Sequence, residues 1–187
     1  MGVLQRIALA YCIASLLIYY FKPGTVIAVS VSILLLYWAF MRIGGDQPDP
    51  LSMTGNLGYK IDVLLLGKDH MYHGEGIAFD PEGLLSTLPS VVNVTFGYLV
   101  GKFIQQKGKT FEGLAQLLLL GFAFIVIAYF WDLGFPINKK LWTSSFVVYT
   151  VGLDCVILAA IIYVTDFLGR IKWTNFFTVF GKNSLFI

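Results

Sequence analysis

Long apolar segments separated by short polar ones dominate this sequence, and they predict a bundle of membrane-spanning helices. A helix needs about 20 mostly apolar residues to cross a bilayer. Five segments meet that requirement: 3–21, 25–41, 84–104, 113–131 and 142–165. A sixth begins near residue 176 and is cut short. The pattern therefore predicts one all-α, polytopic transmembrane helix bundle over residues 1–187, with five complete spans and a truncated sixth.

The connections between these segments predict how the bundle is oriented. Lys22-Pro23-Gly24 is a tight turn that makes the first two helices an antiparallel hairpin, whereas residues 42–83 form the one long connection, a polar loop. Lysines and arginines number six in the loops on one side and five on the other, three of the five in the long loop. Cytoplasmic loops carry the excess of basic residues. We therefore place residues 42–83 on the non-cytoplasmic side.

The composition agrees with a membrane protein and excludes other classes. Hydrophobic residues make up 57% of the chain, charged residues 13%, and the mean hydropathy is +0.77. Soluble domains carry about 25% charged residues. A net charge of only +2 gives no indication of nucleic-acid binding. Cys12 and Cys155 lie in apolar segments and are interpreted as buried small hydrophobic residues.

The polar stretch 67–87 contains the only two histidines of the chain and is the first place to look for chemistry. His70 and His73 are three residues apart, and Asp69 precedes the first of them. Zinc uses such ligands, but without a cysteine the pattern favours a hydrogen-bonded surface cluster, and we predict no metal site. A histidine beside a carboxylate is also a candidate general base, which the sequence leaves open.

Other polar residues at helix ends are predicted to share this side of the membrane. Asp80 is able to cap the helix that follows it, while Glu82 lies near the positive end of that helix. The same carboxylates are able to bind sugar hydroxyls or an amine. Arg6 begins the first helix, and Trp142 begins the fifth as either an interfacial belt residue or a platform for a sugar ring.

The third predicted helix carries small and polar residues on one face: Ser86, Ser90, Asn93, Gly97 and Gly101. The more common interpretation is a helix–helix seam, because Gly97-x-x-x-Gly101 is a close-packing motif. The alternative is that the outer part, from Ser86 to Asn93, lines a cavity continuous with the polar loop.

Two further features admit a functional and a structural interpretation. Asp154 is an ionisable group near the middle of a predicted span, where such groups are functional candidates, for example in a proton path. Lys102, Lys107 and Lys109 form a basic rim on the opposite side from the long loop. This rim is either the ordinary excess of positive charge or a funnel for a phosphorylated cytosolic donor.

Five short motifs in order resemble the heparan-α-glucosaminide N-acetyltransferase family and its bacterial relatives. They extend over nearly the whole chain, and their combination is more specific than any one of them. The motifs are Gly2-Val3-Leu4-Gln5-Arg6, Gly67-Lys68-Asp69-His70-Met71-Tyr72, Asp80-Pro81-Glu82-Gly83-Leu84-Leu85-Ser86-Thr87, Pro136-Ile137-Asn138-Lys139-Lys140-Leu141-Trp142 and Gly181-Lys182-Asn183-Ser184.

The resemblance implies a multi-span enzyme that takes acetyl from cytosolic acetyl-CoA, a co-substrate rather than a bound cofactor, and delivers it to a terminal glucosamine across the membrane. The family histidine regarded as catalytic lies upstream of anything in this chain, so His70 and His73 are not that residue. We therefore expect a C-terminal piece that is inactive alone. Asp154 departs from the family pattern, in which apolar residues are usual at that place.

The resemblance also suggests roles for the polar residues. A first group would bind the amino sugar or oligosaccharide acceptor: Arg6, Asp69, His70, Asp80, Glu82, Asn138, Lys139 and Trp142. A second group would serve acetyl-CoA, with Asn93 and Asn183 along the acetyl path and Lys102, Lys107 and Lys109 at the CoA phosphates. Membrane lipid is the other expected partner, and a homo-oligomer is possible.

Two rival functions and the location complete the expectations. A proton-coupled solute transporter would use Asp154 and the Ser86–Asn93 face, and a non-catalytic membrane subunit would use neither. The long loop has no glycosylation sequon, which favours a bacterial inner membrane over a lysosomal one. The natural acceptor is left open.

Overall fold

The computed structural model describes residues 2–74 and 76–182, and all regular elements in that part of the chain are helical. This confirms the predicted all-α class. A 3₁₀ turn at Lys68–His70 and a π-helical turn at Tyr163–Phe167 accompany the α-helices. The α-helices are α1 Val3–Tyr20, α2 Pro23–Gly44, α3 Leu57–Leu66, α4 Thr87–Lys107, α5 Phe111–Asp132, α6 Ser144–Ile162 and α7 Thr174–Lys182.

Four of the described helices, not five, are long and apolar enough to cross a membrane: α1, α2, α5 and α6 with its π turn. The predicted span at 84–104 forms as α4, with 21 residues, but it falls outside that set. The physical reason is its composition, because polar residues such as Ser90 and Thr95 lower its hydropathy, and they are buried where α4 packs against α1, α2 and α6. The expected sixth segment begins as α7, of which nine residues are described.

The connection 42–83 is not only a polar loop, because α3 lies within it. The Asn56 side chain accepts a hydrogen bond from the Tyr59 N–H at 2.8 Å and so caps the first turn of α3. Leu57 packs with the core cluster around Met41, whereas Leu64 is 81% exposed. The sequence analysis did not predict α3, because the connection is rich in acidic residues and the helix is far shorter than a membrane span.

Hydrogen bonds between helices satisfy several of the polar groups buried in the bundle. Ser30 of α2 and Thr95 of α4 share a hydrogen bond of 2.9 Å between their hydroxyls. The Ser144 hydroxyl of α6 donates to the Leu34 carbonyl of α2 at 2.7 Å. The interior of the bundle is therefore fixed by polar contacts as well as by apolar packing.

The closest helix contact is between α5 and α6, not at the predicted Gly97-x-x-x-Gly101 motif. A Cβ atom placed on Gly152 would lie 2.8 Å from the Gly121 carbonyl oxygen and 2.9 Å from the Ile125 nitrogen, both backbone atoms. A Cβ atom on Gly97 or Gly101 would meet no described atom within 4 Å. The motif on α4 therefore faces open space, and the seam expected there is formed by Gly121 and Gly152.

We expect Gly152→Ala to destabilise the bundle and Gly101→Ala not to do so. The alanine methyl at position 152 collides with backbone that cannot move without separating α5 from α6, at a cost of about 1–3 kcal/mol. At position 101 the methyl enters open space, and alanine favours the helix more than glycine does. Thermal unfolding in detergent measures both variants. Equal unfolding midpoints for the two would contradict the assigned seam.

Candidate functional site

A buried arginine joins the beginning of α1 to the segment that leads into α4. Arg6 is only 5% exposed, and its guanidinium donates from Nη1 to the Pro81 carbonyl at 3.2 Å and from Nη2 to the Ser86 carbonyl at 2.9 Å. Its Cζ atom lies 4.0 Å from the ring centroid of Trp142, a cation–π contact. The carboxylates of Glu82 and Asp80 attract it electrostatically. The sequence motifs that contain these residues therefore meet in space.

The indole of Trp142 is held in place from several directions. Trp142 has φ of 51°, a left-handed conformation that is strained for a bulky side chain and that concentrates at functional sites. Its Nε1–H donates to the Asn93 side-chain oxygen at 3.0 Å, and the Asn93 amide nitrogen donates to the Thr150 hydroxyl at 3.2 Å. The Tyr37 hydroxyl donates to the Leu141 carbonyl at 2.6 Å and so fixes the preceding residue to α2.

A cavity of about 290 Å³ opens beside this arginine and tryptophan, between the outer halves of α1 and α4. Glu82, Ser90 and Asn93 supply its other polar groups. The Arg6 Nε–H is buried without a hydrogen-bond partner. The half-buried Glu82 carboxylate accepts no hydrogen bond within the described ranges. A buried donor without an acceptor carries a free-energy penalty that a bound acceptor atom removes. The wall of the cavity thus contains a guanidinium with one unpaired N–H and a carboxylate with free hydrogen-bonding capacity.

Asp62 holds the segment that follows Glu82 in place, a role that the sequence analysis missed. It is 2% exposed on α3, and its carboxylate accepts a hydrogen bond from the Leu84 N–H at 2.9 Å. A side chain on Gly83 would collide with that carboxylate, so the close approach requires glycine. Burial, and secondarily the Asp80 charge, raises the pKa of Asp62 against the opposing effect of the Leu84 hydrogen bond.

The raised pKa of Asp62 predicts a pH dependence of stability. Folding raises this pKa above its unfolded value of about 3.9, so the folded state binds the proton more tightly. The free energy of unfolding should then fall as the pH rises from about 4 through the raised pKa. Asp62→Asn keeps an oxygen for the Leu84 N–H and carries no charge, so it should lose this slope and be more stable at neutral pH. Unfolding midpoints of both proteins across pH 4–8 measure the difference, and parallel curves would contradict it.

Other residues assigned to the acceptor group do not line this cavity. Asp69 and His70 are exposed in the 3₁₀ turn after α3, and Lys139 is exposed in the turn that precedes Trp142. The Asn138 side-chain oxygen is occupied by the N–H groups of Lys140 and Leu141 at 2.9 and 3.3 Å, so Asn138 shapes the turn before Trp142. Asp80 is buried, with an oxygen accepting from the Glu82 N–H at 3.0 Å.

No group of three or more histidine, cysteine or acidic side chains suited to a metal ion occurs within residues 2–74 and 76–182. The two cysteines differ from each other, since Cys155 is buried as predicted whereas Cys12 is exposed on the surface of the bundle. The prediction that Cys12 is buried was wrong, because Cys12 lies on the outward face of α1, a helix whose exposed residues are mostly apolar.

The opposite end of the bundle holds the predicted basic rim, and two of its lysines are paired. Lys107 lies 3.0 Å from a Glu112 oxygen and Lys109 lies 2.6 Å from an Asp166 oxygen. Lys102 has no ion pair among the described residues and is partly exposed. Asn183, assigned to the acetyl path, lies outside the described residues.

A second cavity of about 150 Å³ follows the small-residue face of α4 toward this end. Asn93 lines both cavities, and Gly97 and Gly101 continue the wall inward. Asp154 of α6 lines the second cavity and is exposed there, without a hydrogen-bond partner in the described part of the chain. The face of α4 from Ser86 to Gly101, about 22 Å at 1.5 Å per residue, therefore runs from the Arg6 site toward Lys102.

Comparisons with known proteins add the following findings. No protein-family model matches this chain. Heparan-alpha-glucosaminide N-acetyltransferase of Homo sapiens is 34% identical, and the protein of that name from Mus musculus is 35% identical. Each match covers 76% of this chain and 24% of the relative, so this chain spans about a quarter of the length of the curated relatives it matches.

Proposed function

Because this chain belongs to the heparan-α-glucosaminide N-acetyltransferase family, we propose that it supplies the acceptor-binding part of a membrane-embedded acetyltransferase. The reaction would move acetyl from acetyl-CoA on the cytoplasmic side to the amine of an amino sugar on the other side. The long connection 42–83 would lie on the non-cytoplasmic side of a bacterial inner membrane.

The observation that carries this proposal is the pair of unused polar groups in one cavity. The Glu82 carboxylate attracts an ammonium group, and the Arg6 Nε–H requires an oxygen acceptor. Acetyl transfer to an amino sugar would bring both partners to the cavity, the amine of the sugar to Glu82 and the carbonyl oxygen of the acetyl group to Arg6. The indole of Trp142 forms a wall against which a sugar ring can pack.

Acetyl transfer to an amine develops negative charge on the carbonyl oxygen of the thioester as the nitrogen attacks. A donor with a fixed positive charge stabilises that oxygen, and Arg6 is held rigidly enough to serve because two carbonyls and one ring fix its guanidinium. The amine must also lose a proton to a base. Neither His70 nor His73 lines the cavity, and the family resemblance assigns this step to a histidine in another segment.

The small-residue face of α4 is the proposed route for the acetyl donor. Asn93, at the junction of the two cavities, lies about 14 Å from Lys102 along the helix. One side chain of each ion pair is largely exposed, Glu112 at 70% and Lys109 at 73%, so both pairs are weak and are able to exchange for CoA phosphates. The donor would thus enter at the basic rim and present its acetyl group near Asn93.

The test is acetyl transfer in sealed proteoliposomes that contain the gene product carrying this chain. We expect radiolabelled acetyl-CoA supplied on the Lys102 side to acetylate glucosamine supplied on the Arg6 side, and no transfer when the two are exchanged. Absence of acetylated sugar under both arrangements would overturn the proposal. Proton-coupled solute uptake that is lost in Asp154→Asn would then favour a transporter, since Asp154 faces an open cavity.

A further inference from the structure

We infer that Asp154 binds the acetyl donor by accepting a hydrogen bond from the amide N–H next to the thioester, in the pantetheine arm of CoA. This inference rests on the proposed function and adds a residue that positions the donor. It comes from the second cavity, in which the Asp154 carboxylate has no hydrogen-bond partner in the described part of the chain.

The position of Asp154 along α6 requires a polar partner or a polar space. Ten residues of this helix precede it and eight follow it, and the helix is apolar enough to cross a membrane. An ionisable side chain at such a place faces the interior of the bundle, a partner or a water-filled space. Asp154 lines the cavity of about 150 Å³ and is exposed there, while the adjacent Cys155 is buried. The carboxylate is therefore available to a ligand of that cavity.

The hydrogen-bonded pair of Asn93 and Thr150 relates Asp154 to the proposed place of the acetyl group. The Asn93 amide nitrogen donates to the Thr150 hydroxyl at 3.2 Å, so these two residues lie side by side on α4 and α6. Asp154 follows Thr150 by four residues on the same face of α6, about 6 Å further from the Arg6 site. In the donor, four bonds separate the thioester carbon from the amide nitrogen, about 5 Å when extended. An acetyl group beside Asn93 thus brings this N–H to the level of Asp154.

The α4 side of the cavity leaves room for a narrow chain. Gly97 and Gly101 line it one and two turns beyond Asn93, and a Cβ atom on either glycine would meet no described atom within 4 Å. An amide N–H that lacks an acceptor among apolar side chains carries a free-energy penalty, which the Asp154 carboxylate would remove. The other lining side chains are apolar or weakly polar: Val100, Val151, Cys155 and Leu158.

The length of the donor beyond this amide agrees with the basic rim. Ten bonds lead from the amide nitrogen to the nearest phosphorus of CoA, about 12 Å when extended. From the level of Gly97, Lys102 lies about 7.5 Å and Lys107 about 15 Å further along α4. The phosphates would therefore lie between the levels of these two lysines. A single extended arm would thus place the acetyl group at Asn93, the amide at Asp154 and the phosphates at the rim.

The first test is the KM of acetyl-CoA in Asp154→Leu, measured in the same proteoliposomes. Leucine is apolar, as is usual at this place in the family pattern, and the thermal unfolding midpoint checks that the variant folds. We expect the KM of acetyl-CoA to rise about tenfold, the effect of losing a hydrogen bond to a charged group, while turnover and the KM of glucosamine change little. Asp154→Asn keeps an acceptor oxygen and should have an intermediate KM. An unchanged acetyl-CoA KM in Asp154→Leu would overturn the inference.

A matched pair of short donors tests whether the amide is the partner. S-acetyl-N-acetylcysteamine carries the thioester and the amide N–H of acetyl-CoA, and its analogue with an ester oxygen in place of that N–H has no donor. We expect kcat/KM in the parent protein to be about tenfold higher for the amide than for the ester, and Asp154→Leu to lose this preference.

Damage to the bundle, or the loss of a partner of Asp154 within the protein, would lower the rates with both short donors together. The same amide preference in the parent protein and Asp154→Leu would therefore overturn the inference and leave the acetyltransferase proposal intact. No acetyl transfer by the parent protein from any donor would overturn both proposals.

Discussion

Replacement of Arg6 by methionine is expected to lower acetyl transfer by at least about 100-fold, which is the usual effect of removing one donor to a developing oxyanion. Methionine retains much of the side-chain volume but has no donors. The Pro81 and Ser86 carbonyls lose their partners at the same time, at a cost of about 1–3 kcal/mol of stability. Initial rates of acetyl transfer and the thermal unfolding midpoint, measured on the same preparation, record both effects.

Arg6→Lys separates the chemical role of Arg6 from its structural role. A lysine ammonium keeps the positive charge and donates to carbonyl groups, but it lacks the planar fork whose Nε–H is unpaired in the parent protein. We expect Arg6→Lys to lose less stability than Arg6→Met, because the ammonium still donates to a carbonyl, together with a turnover number reduced by about 100-fold and a modest change in the acceptor KM. Full activity in Arg6→Lys would assign Arg6 a structural role only.

The bundle was predictable where one physical rule decides the outcome. Apolar length alone located α1, α2, α5 and α6, and the turn before Pro23 predicted their first hairpin. The same rule failed for α3, whose ten residues are too short to span and contain Asp62. The glycine motif of α4 predicted a helix–helix seam that is not present in the described part of the chain, because a glycine pattern does not reveal whether a neighbouring helix covers it. The contact at Gly121 and Gly152 depends on the packing of α5 on α6, which the pattern of single residues does not specify.

The candidate site shows a similar division. The motifs that contain Arg6, Glu82 and Trp142 were placed on one side of the membrane from helix order, and the structure brings these residues to one cavity. Asp69 was grouped with them because of its position in the chain, yet α3 carries it elsewhere. The Lys109–Asp166 pair joins the turn between α4 and α5 to the π turn after α6 and has no signal in the sequence. Helix order therefore predicts which end of the bundle a residue occupies, but not which side chains meet there.

The left-handed conformation of Trp142 connects the fold to the site. Its φ of 51° strains the chain between the Asn138 turn and the first residue of α6, and three groups from α1, α2 and α4 stabilise it. Arg6 packs on the ring, Asn93 accepts its N–H, and Tyr37 holds the preceding carbonyl. These contacts hold the indole in the wall of the outer cavity, where donor and acceptor would meet.

Glu82→Gln is expected to weaken acceptor binding without changing the fold. The Glu82 carboxylate has no hydrogen-bond partner among residues 2–74 and 76–182, so the amide breaks no hydrogen bond and removes only the electrostatic attraction to Arg6. An attraction between partly exposed charges contributes up to about 1 kcal/mol, so the free energy of unfolding should fall by no more than that amount. A hydrogen bond to a charged group contributes about 1.5–3 kcal/mol, which converts to a KM for glucosamine that is about 10- to 150-fold higher. Measurement of KM and turnover in the proteoliposome assay distinguishes this loss of binding from a loss of chemistry.

The matched control for Glu82→Gln is Asp49→Asn, which removes one exposed carboxylate from the connection on the same side of the bundle but away from the cavity. Both substitutions change the surface charge by the same amount, so a general electrostatic attraction of the amine would raise KM equally in the two variants. If the ammonium group pairs specifically with Glu82, KM rises only in Glu82→Gln. N-acetylglucosamine, tested as a competitive inhibitor, should then bind the parent and the variant alike, because its nitrogen carries no charge. Equal inhibition constants in parent and variant, beside unequal KM values, would locate the ammonium group at Glu82. Equal KM values would remove Glu82 from the acceptor site.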